Sequence, residues 1–110
     1  VAKFPEIGDL NRRIVLQQPV ETEDGGGGKT VAWQDVAEVW AQVEPISSQE
    51  RLFAGQTMAE VTHRVRLRFR SDVRSSWRIR DGEDHYSLNS VLDLAGARRF
   101  LELLCLEVKE

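Results

Sequence analysis

Residues 60–70 read EVTHRVRLRFR, and the alternation in this stretch decides the fold. Val61, His63, Val65, Leu67 and Phe69 fall on one face of an extended chain. Thr62, Arg64, Arg66, Arg68 and Arg70 fall on the other. A period of two this regular predicts a half-buried β-strand and excludes an amphipathic helix, whose apolar positions recur every three to four residues. After a turn at residues 71–76 the alternation resumes, with Trp77 and Ile79 inward and Arg78 and Arg80 outward. Asp81-Gly82 then marks a tight hairpin.

Outward from this strand the chain keeps the same grammar. On the C-terminal side, residues 85–94 predict a further strand, broken at Ala95-Gly96. Residues 98–108 (RRFLELLCLEV) predict the last one. A helix is the alternative for that run, but its Leu, Val and Cys content beside so many hairpin-spaced strands favours a strand. On the N-terminal side, residues 1–12 read as an arm or edge with isolated Phe4, Pro5 and Ile7, and residues 13–20 as a first strand ended by Pro19. Residues 21–29 (ETEDGGGGK) read as a polar loop, and residues 30–44 as a long second strand bent near Asp35. Trp33 and Trp40 on that strand are expected in the core or at an interface. Pro45 ends it, since proline has no N–H to give to a ladder.

Residues 46–60 form the one segment that breaks the pattern. Ser47 and Glu50 are spaced as a capping box, which predicts a helix start. The helix itself is poorly supported: its apolar face is thin (Leu52, Phe53, Ala59), and Gly55 in its middle costs about 1 kcal/mol relative to alanine. A well-marked start with little to bury predicts a segment docked on the fold rather than built into it. The expected architecture is therefore mainly β: a small antiparallel barrel or sandwich of about six strands, with one short helix after the second strand.

The totals agree with one domain across residues 1–110, with 41% hydrophobic and 30% charged residues. No apolar run approaches the length of a bilayer span, and no signal-peptide pattern opens the chain. The net charge of −3 argues against a general nucleic-acid binder, but it is unevenly spread. Residues 62–80 hold seven arginines and one aspartate, between two acidic segments. Such a block is a phosphate-binding track, a face that pairs with carboxylates within or between subunits, or simply a solvated outer face. Arginine in place of lysine fits bidentate pairing. The only exposed-aromatic partners a nucleic-acid groove would use, Phe69 and Trp77, are expected on the buried face.

Catalytic and metal chemistry find little support. His63 and His85 lack metal-ligand spacing, and His63 sits on an apolar face. The lone Cys105 lies in an apolar run and reads as a small buried hydrophobe. No serine occupies a nucleophile-elbow context. The four-glycine run lacks the Lys-Ser/Thr ending of a phosphate loop. It reads instead as a flexible hairpin tip that contacts neighbouring subunits through Glu23, Asp24, Gly25, Gly26, Gly27, Gly28 and Lys29.

Taken in order, several short motifs resemble those of the phage head–tail joining proteins, the connector or stopper subunits of tailed phages, prophages and gene-transfer particles. They are Asp9-Leu10-Asn11-Arg12-Arg13-Ile14 with Gln17, then Trp33, then Val39-Trp40-Ala41 with Val43-Glu44-Pro45-Ile46-Ser47 and Glu50. Thr62-His63-Arg64-Val65 with Leu67-Arg68 follows, then Arg78-Ile79, the Asp81-Gly82 hairpin, Tyr86, Val91, Asp93, and Leu103, Cys105 and Glu107. Trp77 departs from the pattern, where a smaller apolar residue is usual, and the four-glycine run is particular to this chain.

The resemblance implies a non-enzymatic virion protein with no cofactor and no membrane partner. It implies a ring of six or twelve copies at the particle neck, assembled in the bacterial cytoplasm. The ring's partners would be a portal adaptor above, a tail terminator or tail tube protein below, and double-stranded DNA passing through without sequence recognition. In the stopper type, the segment after the Glu-Pro-Ile-Ser signature closes the channel. Here that implies a gate at Ser47, Ser48, Gln49, Glu50, Arg51, Leu52, Phe53 and Gln56. In such a ring, Arg64, Arg66, Arg68, Arg70, Arg78 and Arg80 are expected at the subunit interface. A tail-terminator ring and a small nucleic-acid-binding barrel are the alternatives.

Overall fold

In a computed structural model, which describes residues 4–47 and 61–108, six antiparallel strands close into a barrel. They are β1 (Arg12–Glu23), β2 (Lys29–Pro45), β3 (His63–Arg68), β4 (Arg78–Asp81), β5 (Asp84–Asp93) and β6 (Phe100–Val108). Around the barrel the order is β1-β2-β3-β6-β5-β4. The helix expected after the second strand lies outside the described residues.

Alternation builds the core. Ile14 and Leu16 of β1, Val65 and Leu67 of β3, and Leu101, Leu103 and Cys105 of β6 point inward and are buried. Val73 and Trp77, from the connection between β3 and β4, join them. A second small cluster packs Leu10 with Leu94 and Phe100, and Phe4 lies against the Phe100 ring. The N-terminal segment is thereby fastened to the barrel instead of trailing as an arm. Its 3-10 turn at Ile7–Asp9 is capped by the Asp9 carboxylate, which accepts from the Glu6 N–H at 2.9 Å.

Closure is narrow. β1 meets β4 over only three residue pairs, Val15–Arg80, Leu16–Ile79 and Gln17–Arg78. Side chains reinforce that seam: Arg12 pairs with the buried Asp81, and Arg78 donates to Gln17 Oε1 at 2.7 Å. Asp81, the first residue of the hairpin signal, sits at the end of β4 facing Arg12 and is a closing contact as well as a turn residue.

The first hairpin is longer than the sequence implies. β1 continues through Pro19 to Glu23, and the loop shrinks to residues 24–28. Pro19 is compatible with this because β1 beyond Gln17 has β2 on one side only, and an open edge tolerates a missing N–H. The two strands project as a ribbon, and the molecule measures 52 × 29 × 26 Å. Within the loop, Asp24 Oδ1 accepts from the N–H groups of Gly26 and Gly28 at 2.9 and 3.1 Å. Gly25 and Gly27 have φ of 81° and 88°, a region in which only glycine rests without strain. Removing the acceptor by Asp24→Ala should speed hydrogen exchange at Gly26 and Gly28 and leave the barrel's melting temperature unchanged. A fall of more than about 4 °C would mean that the turn belongs to the cooperative core.

Candidate functional site

The candidate surfaces lie on the outside of the barrel and at the two ends of β2. A register shift sets the first of them. Opposite Leu16–Gln17 the pairing jumps from Ala37 to Asp35, so Val36 is an extra, unpaired residue. Without it, Trp33 and Trp40, seven residues apart, would fall on opposite faces. With it, both stand on the outer face. Trp40 is 52% exposed and Trp33 36%, so neither is a core residue, which corrects that half of the expectation. Each ring carries a guanidinium: Arg13 lies 5.3 Å from the Trp40 centroid, and Arg78 lies 4.5 Å from that of Trp33.

Around Trp33 a polar network fixes the base of the projecting hairpin. Gln17, buried although polar, donates to Asp35 Oδ1 at 2.7 Å and accepts from Arg78. Arg80 reaches the other Asp35 oxygen at 3.6 Å. The glutamine amide thus bridges a carboxylate and a guanidinium with both of its groups satisfied. Arg78 and Arg80 hold the hairpin's exit angle within their own subunit.

The arginines of β3 divide between two environments. Arg64 and Arg66 both bond Glu102 Oε1, at 3.2 and 3.1 Å, and Arg64 also approaches Glu44 at 3.8 Å. Arg66 stands directly opposite Glu102 in the β3–β6 register. Arg70 makes a two-point contact with Asp72, which holds that carboxyl below its ordinary pKa. Arg68 is exposed and has no ion pair among the described residues. It lies between two shallow depressions of about 300 and 320 Å³ that share Trp40 as a common wall. Ile7 and Leu10 line one; Val39, Phe69 and Arg70 line the other. Sequence reasoning missed this groove. Its one signal was Ile7, an isolated apolar residue that is 78% exposed.

The other end of β2 carries the connection to β3. Ile46 and Val61 are buried, and the Ile46 N–H donates to the Thr62 carbonyl at 2.9 Å. Thr62 in turn donates its N–H to the Cys105 carbonyl, and its hydroxyl accepts from the Glu107 N–H at 2.7 Å. The described ends of β2 and β3, at Ile46 and Val61–Thr62, are therefore held together at one point of the rim. Of the proposed gate, only Ser47 is described; it is exposed, and the others lie outside the described residues. His63, next to this anchor, accepts or donates at Thr62 Oγ1 and packs edge-on to Tyr86 at 4.7 Å. Cys105 is fully buried, and burial pushes its thiol up to about 12.

A closed six-stranded barrel with a long projecting hairpin carries these surfaces, and the proteins it is similar to are small virion components. The chain belongs to the phage head completion protein family, whose model matches residues 5–108. It is 32% identical over 107 residues to head completion protein gp7 of Enterobacteria phage HK97, covering 91% of this chain and 94% of that one. Among solved structures, a Shigella flexneri 2a protein matches at a TM-score of 0.81 and 32% identity, over 96% of this chain and 99% of that one. A chain from the virion of a native gene transfer agent particle matches at 0.67 and 28%, over 89% and 94%. Family membership makes this a structural virion component and not an enzyme.

Proposed function

We propose that the chain is a head–tail connector of the stopper type. Its copies form a ring at the neck, beneath the portal and its adaptor, after assembly of the particle in the bacterial cytoplasm. The ring closes the channel behind packaged double-stranded DNA and offers a platform to a tail terminator or tail tube protein. The observation that carries this reading is the joint anchoring of Ile46 and of Val61–Thr62, the described residues on either side of the gate segment. Buried Ile46 and Val61, with the Ile46 N–H on the Thr62 carbonyl, tie the two flanking strand ends to the rim, so a rearrangement between them would leave the barrel's pairing intact. In this reading Ser47 and the residues after it form the gate. The arginine face, with the hairpin tip from Glu23 to Lys29, meets neighbouring subunits.

A nucleic-acid-binding barrel fits less well. Arg64, Arg66, Arg70 and Arg80 are already engaged by carboxylates, and both exposed tryptophans lie under guanidinium groups of their own subunit. Particles built with residues 49–55 removed provide the test. Electron microscopy should show the ring on the portal axis while packaged DNA is lost. Density one ring lower, at the head-facing end of the tail tube, would instead assign a tail-terminator role. Full DNA retention with the ring in place would sink the gate.

A further inference from the structure

The groove beside Trp40 and the projecting hairpin are complementary. The groove offers an apolar floor (Ile7, Trp40, Phe69) and one exposed cation, Arg68, with no ion pair among the described residues. The hairpin offers the reverse. Between Gln18 and Gln34 it carries three carboxylates against one lysine, and that lysine, Lys29, is already within 3.6 Å of Glu21. Asp24 is committed to the turn. Glu23 has no ion pair among the described residues, and Val31, 53% exposed, lies two residues from the loop side of the same ribbon face. The ribbon is long enough to leave its own subunit, since six residues of β1 beyond Gln17 span roughly 20 Å.

Neither feature can satisfy the other within one chain. Both are built on β2, with the groove at Val39–Trp40 and the tip before Lys29, at separated points along one extended strand. We infer that the hairpin tip of one copy seats in the Trp40–Arg68 groove of the next, with Glu23 meeting Arg68 and Val31 covering the apolar floor. The inference rests on the ring reading above and deepens it by naming the two surfaces. Such a contact joins two different patches of identical subunits. It propagates head to tail and closes into a ring when the rotation allows. The edge of β2 between the loop and Ala41 pairs with β1 alone, so its outer backbone groups are open to a neighbouring strand at the same site.

The test uses assembled particles carrying Ile7→Cys and Gly26→Cys in one chain. Both positions are exposed, a Cβ at Gly26 meets nothing closer than 3.6 Å, and the only native thiol, Cys105, is buried. A short bismaleimide should give a ladder of linked copies from the double variant and no ladder beyond dimers from either single one. If glutaraldehyde gives a ladder and bismaleimide none, the ring stands and this contact is overturned. Linkage of the hairpin cysteine to a different virion protein also overturns it. No ladder with either reagent overturns the ring itself. Charge reversal gives an independent readout. Arg68→Glu or Glu23→Arg alone should lower the yield of complete particles about tenfold or more, and the two together should restore it. Two singles that lose yield with no recovery in the double would count against the pairing.

Discussion

Leu103→Ala is expected to remove roughly 2–5 kcal/mol of folding stability, the largest effect of any single truncation proposed here. Leu103 has no exposed surface, sits mid-strand in β6, and faces Val65 of β3 and Val91 of β5 in register. Truncation leaves a cavity bounded by strands on both sides, and a closed barrel has little freedom to collapse into it. A domain of this size holds only about 5–15 kcal/mol in total, so the loss consumes a large share. Denaturant unfolding should show a lower midpoint at an unchanged slope, with the melting temperature falling by roughly 8–25 °C. A loss under about 1 kcal/mol would mean that the core at this layer can repack, and that the barrel is a softer platform than its strand pairing implies.

The second large effect separates two arginines that look alike in sequence. Arg66→Glu places a carboxylate directly opposite Glu102 and removes one of the two guanidinium groups that share it. Glu102 is 16% exposed in its side chain, so water compensates it poorly. Like charges on paired strand positions are destabilising, and a partly buried charge left short of partners adds to that. The expected loss is about 1–3 kcal/mol, read as a lower melting temperature of the isolated chain. Arg68→Glu, two residues along the same face, should change stability by less than about 0.5 kcal/mol, because that side chain is exposed and has no ion pair among the described residues. Its effect falls on assembly. Equal destabilisation by both reversals would refute the division of the arginine face into an internal pair and an outward-reaching residue.

The contrast shows where sequence reading stops. The alternation in residues 60–70 correctly assigns Val65 and Leu67 to the interior and the four arginines to the exterior, because side-chain direction along a strand is a local property. The same argument gives the Asp81-Gly82 hairpin, where Gly82 takes φ of 64°, and the strand character of β6. It also places the bend near Asp35, where the structure has its bulge. The candidate site was less legible. That Arg66 meets Glu102 depends on β3 lying beside β6, which are 36 residues apart in the pair they form. No local pattern states which strands become neighbours.

The sequence by itself determined that these segments are strands, the inner faces of β3 and β4, the boundaries at Pro45 and Ala95-Gly96, and the family. Each depends on residues within one turn or one strand, or on the order of short motifs. Only the tertiary structure decided that the strands close, which arginines are already paired, and that Trp33 and Trp40 share the outer face. Those outcomes depend on register and on one extra residue at Val36, and a one-residue shift inverts every face beyond it while leaving the composition of the strand unchanged.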